Sequence, residues 1–206
     1  MSDDYEAALR AGIAVYTAGG HHAAHDPWEA AWLDHPEGDE RDLLQGLIQT
    51  AGALHHASEG NRDGARGLAE SAQGYLADLP NDFRGVNVGT VRLGLSHLVR
   101  TPADPTPPRI TYRGARLAPE HLGADPEAAL RAAVPLAEAG GYDPDPIERG
   151  VDYAREAFEA GEDADRFLRF VLDFVADGRH RATVHARLSA AVSKRRMREE
   201  DVQNLF

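Results

Sequence analysis

A proline-rich segment constrains the fold more than any other part of the chain. Residues 101–109 read TPADPTPPR, with four prolines in nine positions. Proline lacks the backbone N–H and clashes with the preceding helical turn, so this segment cannot be helical and is expected to be extended. Helical patterns lie on both sides of it. We therefore predict a helical unit at residues 1–100, a connector with a short extended segment at 101–118, and a second helical unit at 119–206.

The first hundred residues show the apolar spacing of helices. Apolar residues recur at helical intervals from Tyr5 to Tyr16, and two glycines at positions 19 and 20 end the pattern. Residues 39–58 begin with acids and are apolar on most faces, which predicts a central buried helix. The first unit is thus expected to be a bundle.

A helix start is predicted at Asp26. Pro27 follows it directly and Glu29 comes three residues later, which combines a capping box with a proline in the first turn. A start near Asp26 would leave His21, His22 and His25 in the preceding loop. It would also argue against a pairing of His25 with Glu29 across one helical turn.

Four more helical patterns follow the connector. They cover about residues 126–139, 145–160, 163–177 and 181–195. The stretch ITYRGARLA alternates around Arg113 and Gly114, which indicates one short β-hairpin or an extended turn near residues 110–118. The fold class predicted from these patterns is all-α, a helical bundle followed by a second helical unit.

The charge balance is strongly acidic. Asp and Glu number 34 against 22 Lys and Arg, a formal net charge of −12, and Lys194 is the only lysine. Carboxylate-rich, lysine-poor surfaces suit a cytoplasm of high salt, where screening removes most self-repulsion, so the chain is expected to be of haloarchaeal type. The alternative is an acidic protein from a GC-rich genome, in which arginine codons displace lysine codons.

Composition also limits location and chemistry. The chain has no cysteine, which excludes disulfides, thiolate metal sites and a cysteine nucleophile. No apolar stretch approaches the ~18 residues that a membrane span needs, and the acidic start lacks an apolar signal region. We expect a soluble cytoplasmic protein with no membrane partner.

The first half resembles a known family. HDPWEAAW followed by LLQGLIQTAGALHHASEGNRDGA resembles domain of unknown function 309, and the likeness covers roughly residues 5–100. That family is a small all-α bundle with a His-Glu-x-x-Glu-x-x-Trp-like helix, a Gln-Gly-Leu-Ile-Gln helix, paired histidines and a Gly-Asn-x-x-Gly-Ala turn. The matching positions are His25, Glu29, Trp32, Gln45, Gly46, Gln49, His55, His56, Gly60, Asn61, Gly64 and Ala65. The resemblance implies the fold and no activity.

The motif residues form a candidate pocket between the helices. Its members are His25, Glu29, Trp32, Gln45, Gln49, His55, His56 and Asn61. Helical geometry places Gln45, Gln49 and His56 on one face of the central helix, whereas His55 falls on the apolar side and is expected to pack inward.

These residue types admit more than one role. Imidazoles, amides and a carboxylate facing each other could bind a small ligand, hold a divalent metal or supply a general acid or base. The simpler interpretation is a structural network, in which Glu29 caps its helix and buried Gln and His satisfy backbone groups. The chain has no HExxH motif, so we assign no metal ligand, and the sequence leaves catalytic residues and any cofactor unknown.

The C-terminal segment offers a second candidate. Only residues 179–206 carry more basic than acidic side chains, and the candidate anion-binding residues are Arg179, Arg181, Arg187, Arg195 and Arg196. Arginines can clamp phosphates or RNA, but they can equally pair with acids of the same chain, so nucleic-acid binding is not expected. The terminal Leu205 and Phe206 are expected to dock onto a core or a partner.

The sequence thus favours a non-enzymatic binding or interaction module. Its ligand would enter a polar pocket between the motif helices, and an exposed tryptophan face or the terminal Leu-Phe could support self-association or a protein partner. One alternative is a metal-dependent or acid–base hydrolase-like enzyme that uses Glu29 with His25 and His56. The other is anion or RNA binding by the C-terminal arginines.

Overall fold

Helices dominate the computed structural model, which describes residues 3–160 and 166–203. Over these residues it contains nine α-helices, one 3-10 helix at Pro119–His121 and no β-strand. The α-helices are α1 (Asp3–Thr17), α2 (His25–Asp34), α3 (Asp39–Ser58), α4 (Arg62–Leu76), α5 (Val88–Arg100), α6 (Pro126–Ala139), α7 (Asp145–Glu159), α8 (Arg166–Ala176) and α9 (Arg181–Gln203). The all-α prediction is confirmed. No helix in the described ranges is long and apolar enough to cross a membrane.

Helices that are neighbours in the chain pack together in the first half, α8 contacts every other α-helix of the second half, and α1 joins the halves. Helix α3 packs against α2 and α4, and α4 packs against α5. Both α7 and α8 pack against α6 and α9 and against each other, while α1 contacts both α2 and α6. One continuous apolar cluster contains residues from both sides of the connector. The division of the chain at residues 100 and 118 stays a prediction.

Trp28 is the largest fully buried side chain of the core. It has no exposed surface, and its indole Nε1 donates to the carbonyl of Leu9 at 3.2 Å. The partner surface on α1 is Gly12, where a Cβ would overlap the indole ring. Glycine at this position is therefore required for α1 and α2 to cross so closely, and it is the reason that Trp28 can be buried whole.

Helix α2 begins one residue earlier than predicted, and the capping box is wrong. The residue before the helix is Ala24, which is helical and makes no side-chain cap. The chain already turns before the helix, since Ala24 N–H donates to the carbonyl of Gly20 and His25 N–H to that of His22. The helix therefore continues from a hydrogen-bonded turn and needs no side-chain acceptor at Asp26.

The predicted hairpin near residues 110–118 is reduced to a tight turn. Tyr112 and Ala115 form an isolated bridge around Arg113 and Gly114, both of which have positive φ. The paired strands extend no further, because the N–H of Thr111 donates to the Asn87 side chain instead of to a strand partner. Of the two predicted alternatives, the turn is observed and the paired strands of a hairpin are not.

A second Arg-Gly turn accompanies the first. Phe83 and Val86 form a bridge around Arg84, at φ 51°, and Gly85, at φ 78°. Val86 also bridges Tyr112, so the two turns lie side by side. Both use the left-handed backbone conformations typical of type I′ turns.

Two of the sequence-based predictions concern residues outside the described ranges. The helix predicted at 163–177 is observed as α8 from Arg166, and its first predicted residues lie outside the described ranges. Leu205 and Phe206 also lie outside them.

Replacing Gly12 with alanine should destabilise the protein. The added methyl group must displace the buried Trp28 ring, and such overpacking costs roughly 1–3 kcal/mol of unfolding free energy. Gly67→Ala is the matched control, because Gly67 is exposed within α4 and a Cβ there meets nothing. It should stabilise by about 0.5–1 kcal/mol. Urea unfolding measures both, and a Gly12→Ala variant as stable as the parent would contradict the packing argument.

Candidate functional site

A cleft of about 410 Å³ lies where three helices end. The turn after α1, the last turn of α3 and the last turn of α6 form its walls. The lining residues are Gly19, Gly20, His21, His22, Ala23, Leu54, His55, Ser58, Glu138 and Ala139. Leu54 and Ala23 are buried and form an apolar floor, while polar groups surround it. The cleft therefore combines one part from the family-like half with one part from the other half.

Gly20 brings the two halves together at this cleft. An added Cβ at Gly20 would lie 2.9 Å from the Cβ of Ala139, at the end of α6. A larger side chain would push the α1–α2 turn away from α6, so the close approach depends on glycine.

Two imidazole rings stack on one wall. The His22 and His55 ring centroids are 4.2 Å apart with an interplanar angle of 20°. His55 Nε2 also lies 3.5 Å from a carboxylate oxygen of Glu59. The expectation that His55 packs inward is wrong, since its side chain is 35% exposed. The neighbouring Leu54 fills the core instead, which leaves His55 at the rim.

His25 pairs with acids of its own helix. Its Nδ1 lies 3.3 Å from Asp26 Oδ1, and its Nε2 lies 3.7 Å from Glu29 Oε2. The pairing with Glu29 that the predicted helix start argued against is thus present, because the helix includes His25. The hydrogen bond to Asp26 raises the pKa of His25 above its ordinary value, partial burial opposes this, and the charge of Glu29 adds to it.

His21 has the opposite electrostatic environment. Its ring packs against Tyr16 at a centroid distance of 4.8 Å, and burial lowers its pKa below the ordinary value. Desolvation disfavours the imidazolium form, since no carboxylate is paired with it in the described part of the chain.

His56 contacts the start of α4 and does not line the cleft. The Asn61 side-chain amide donates to His56 Nδ1 at 2.9 Å, and Asn61 Oδ1 accepts from the N–H of Gly64 at 3.0 Å. Asn61 is the N-cap of α4, so His56 holds a capping residue in place. This arrangement is a structural network of the kind that the motif also allowed.

The remaining candidates are also placed apart. Trp32 is partly buried against the core, and the Arg41 guanidinium lies over its ring at 4.1 Å. Gln45 and Gln49 are half-buried on α3. Of the eight pocket residues expected from the motif, only His55 lines the cleft. The histidine beside His25 is His22, at a ring-centroid distance of 6.4 Å.

The arrangement of the histidines bears on metal binding. No group of three or more His, Asp or Glu side chains within the described ranges is arranged to hold a metal ion. Ring nitrogens bind metals through lone pairs in the ring plane, and the nearly parallel planes of His22 and His55 keep those lone pairs from converging. The pair suits hydrogen bonding and stacking better than shared coordination.

Sequence reasoning missed much of the cleft. His22 was placed in a loop, and Glu138 carried no motif at all. The Tyr16–His21 contact was detectable in principle, since both flank the glycine turn. Nothing local could reveal Glu138, because it reaches the cleft only through the packing of α6 against α1.

Three of the C-terminal arginines have protein partners. Arg181 donates to the carbonyls of Phe174 and Val175 at the end of α8. Arg195 pairs with Glu156 and Glu199, and Arg196 pairs with Asp145. Arg179 and Arg187 are exposed.

Comparison with known proteins agrees with the resemblance in the first half. The family described as domain of unknown function (DUF309) has a model that matches residues 9–68. This match confirms the resemblance over that range, which includes His22, His25 and His55. The chain is also 30% identical over 98 residues to an "Uncharacterized protein" of Aquifex aeolicus (strain VF5). That alignment covers 48% of this chain and 29% of the relative, so the chain spans under a third of the relative's length.

Asn61→Ala should lower the unfolding free energy by about 1 kcal/mol, because it removes the α4 cap and the partner of His56. Asn61→Asp is the control, since it keeps the acceptor for Gly64 and should retain most of the stability. Urea unfolding distinguishes them. Equal losses in the two variants would contradict the capping role.

The two histidines should titrate on opposite sides of the ordinary value of about 6.5. NMR titration of the ring protons should give a raised pKa for His25 and a lowered one for His21. Asp26→Asn should lower the pKa of His25 and leave that of His21 unchanged.

The raised pKa makes the contribution of His25 to stability depend on pH. A raised folded-state pKa means that His25 stabilises the fold below about pH 6.5 and loses that contribution as the pH rises through its folded-state pKa. The difference between the parent and Asp26→Asn should therefore be larger in mildly acidic than in alkaline buffer. A His25 pKa that Asp26→Asn leaves unchanged would contradict the assignment.

Proposed function

We propose that the chain is a binding module whose ligand site is the cleft at the ends of α1, α3 and α6. The observation that carries the proposal is the stacked pair of His22 and His55 above an apolar floor, inside a cleft of about 410 Å³. Sites for small molecules are concave, partly apolar and lined by a few polar groups that fix orientation. The ligand would be a small polar molecule, and the module would act without catalysing a reaction.

The positions of the other motif residues support binding over catalysis. An acid–base or metal-dependent enzyme would bring Glu29 and at least two imidazoles to one open point. Here Glu29 pairs with His25 on α2, outside the cleft lining, and His56 is engaged by Asn61. The residues that a hydrolase-like enzyme would need are thus paired with local partners and do not meet at one point.

Ion pairs weaken the case for RNA or anion binding by the C-terminal arginines. That function needs an exposed basic face free of acids. Arg195 and Arg196 instead contact Glu156, Glu199 and Asp145. We therefore do not extend the proposal to nucleic acids.

Partners and location stay predictions. Self-association through a tryptophan face loses support, because Trp28 is buried and Arg41 covers Trp32. Large exposed apolar side chains occur elsewhere, including Leu93 at 73% and Phe158 at 65% exposure. A homo-oligomer or protein partner would use such positions, and the protein would work in the cytoplasm.

A fragment screen tests the proposal. The screen follows backbone amide signals by NMR in the parent and in two variants. Ser58→Trp fills the cleft from its exposed edge, and Ser193→Trp is the matched control on an exposed position of α9. We expect fragments that shift the amide signals of Gly19, Gly20 and His55 in the parent and in Ser193→Trp, but not in Ser58→Trp. A screen without such fragments, or shifts that survive Ser58→Trp, would overturn the proposal.

A further inference from the structure

The charge around the cleft selects its ligand. We infer that the cleft takes a small organic cation with a primary ammonium group, an inference that rests on the proposed binding function. None of the lining residues is lysine or arginine, and the one lining side chain with a full formal charge at neutral pH is the carboxylate of Glu138. Imidazoles, a hydroxyl and backbone groups complete the lining.

Three helices have their C-terminal ends at the cleft, and the dipoles of these helices add to the negative charge of Glu138. The lining includes the turn after α1, the last turn of α3 and the final residues of α6. The C-terminal end of a helix carries a partial charge of roughly −0.5, which stabilises nearby cations. These three ends contribute with the same sign, whereas the N-terminus of α2, which begins at His25 just after the lining residues, contributes with the opposite sign. An anion in this cleft would meet three unfavourable helix ends and the Glu138 carboxylate against one favourable end.

Glu138 is available to a ligand. Its carboxylate is exposed and forms no ion pair with any residue in the described ranges. The other carboxylate near the wall, Glu59, lies beside His55 at 3.5 Å. An ammonium group held between Glu138 and the stacked rings would thus meet a free carboxylate on the α6 side.

The imidazoles can accept hydrogen bonds from an ammonium group. A neutral imidazole always carries one unprotonated nitrogen, and an ammonium group offers three donors. His22 stacks on His55 with its edge free of side-chain hydrogen bonds to the part of the chain that the structure describes. The apolar floor of Leu54 and Ala23 suits the methylene groups of a short aliphatic amine.

Three four-carbon probes test the inference. They are the cation 1,4-diaminobutane, the anion succinate and the neutral 1,4-butanediol. NMR titrations at low ionic strength keep exposed charges unscreened. We expect 1,4-diaminobutane to shift the amide signals of Gly19, Gly20 and His55 saturably, and the other two probes to bind more weakly. Succinate or butanediol binding as tightly as the diamine would overturn the inference.

Charge-neutralising variants locate the interaction. Glu138→Gln should weaken diamine binding about three- to fivefold, the size expected for one exposed ion pair. Glu70→Gln is the matched control, since Glu70 is exposed on α4 away from the cleft lining and the change in net charge is the same. Equal weakening in both variants would overturn the inference, because it would show attraction to overall charge alone.

The experiments distinguish a failure of the cation inference from a failure of the proposed binding function. If fragments bind the cleft in the screen but 1,4-diaminobutane does not, the cation inference is wrong and the binding function stands. If no fragment and no probe shifts the cleft signals, both are wrong.

Discussion

The contact between Trp28 and Gly12 sets the geometry on which the cleft depends. A whole indole ring is buried because the facing helix has no side chain at that point, and the indole N–H is satisfied by the Leu9 carbonyl. The two helices are therefore close, and the chain between them must reverse over a few residues. That short reversal carries His21 and His22 to the end of α3. The interior packing of one tryptophan thus decides where the surface histidines lie.

Adjacent residues of the motif act in different places for a geometric reason. Consecutive residues on a helix are separated by about 100°, so neighbouring side chains point in different directions. His55 meets His22 at the cleft, whereas His56 meets Asn61 at the start of α4. One histidine of the pair therefore lines the cleft, and the other lies at the junction between two helices. The structural network applies to His56, and a ligand site at His55 stays a proposal.

The helices were predictable from the sequence because apolar periodicity is a local property. The start of α2 was not predictable in this way. Asp26, Pro27 and Glu29 have the local pattern of a helix start, but the hydrogen-bonded turn from Gly20 leads into the helix before Asp26. The site was predictable only at His55. Glu138 lies more than eighty residues from His55, and the contact between their helices' ends follows from the packing of α1 on α6. One Arg-Gly turn was recognised, and its partner at Arg84 was not.

The proline-rich connector has a composition typical of a linker, but its C-terminal end is held against the helices. The Tyr16 hydroxyl donates to the carbonyl of Pro108 at 2.8 Å, and the Asn87 side chain contacts both Arg109 and Thr111. These bonds join the connector to α1 and to the start of α5. The end of the connector is thus fixed to α1, the helix whose following turn lines the cleft. If the cleft binds a ligand as proposed, a wall fixed in this way loses little conformational entropy on binding.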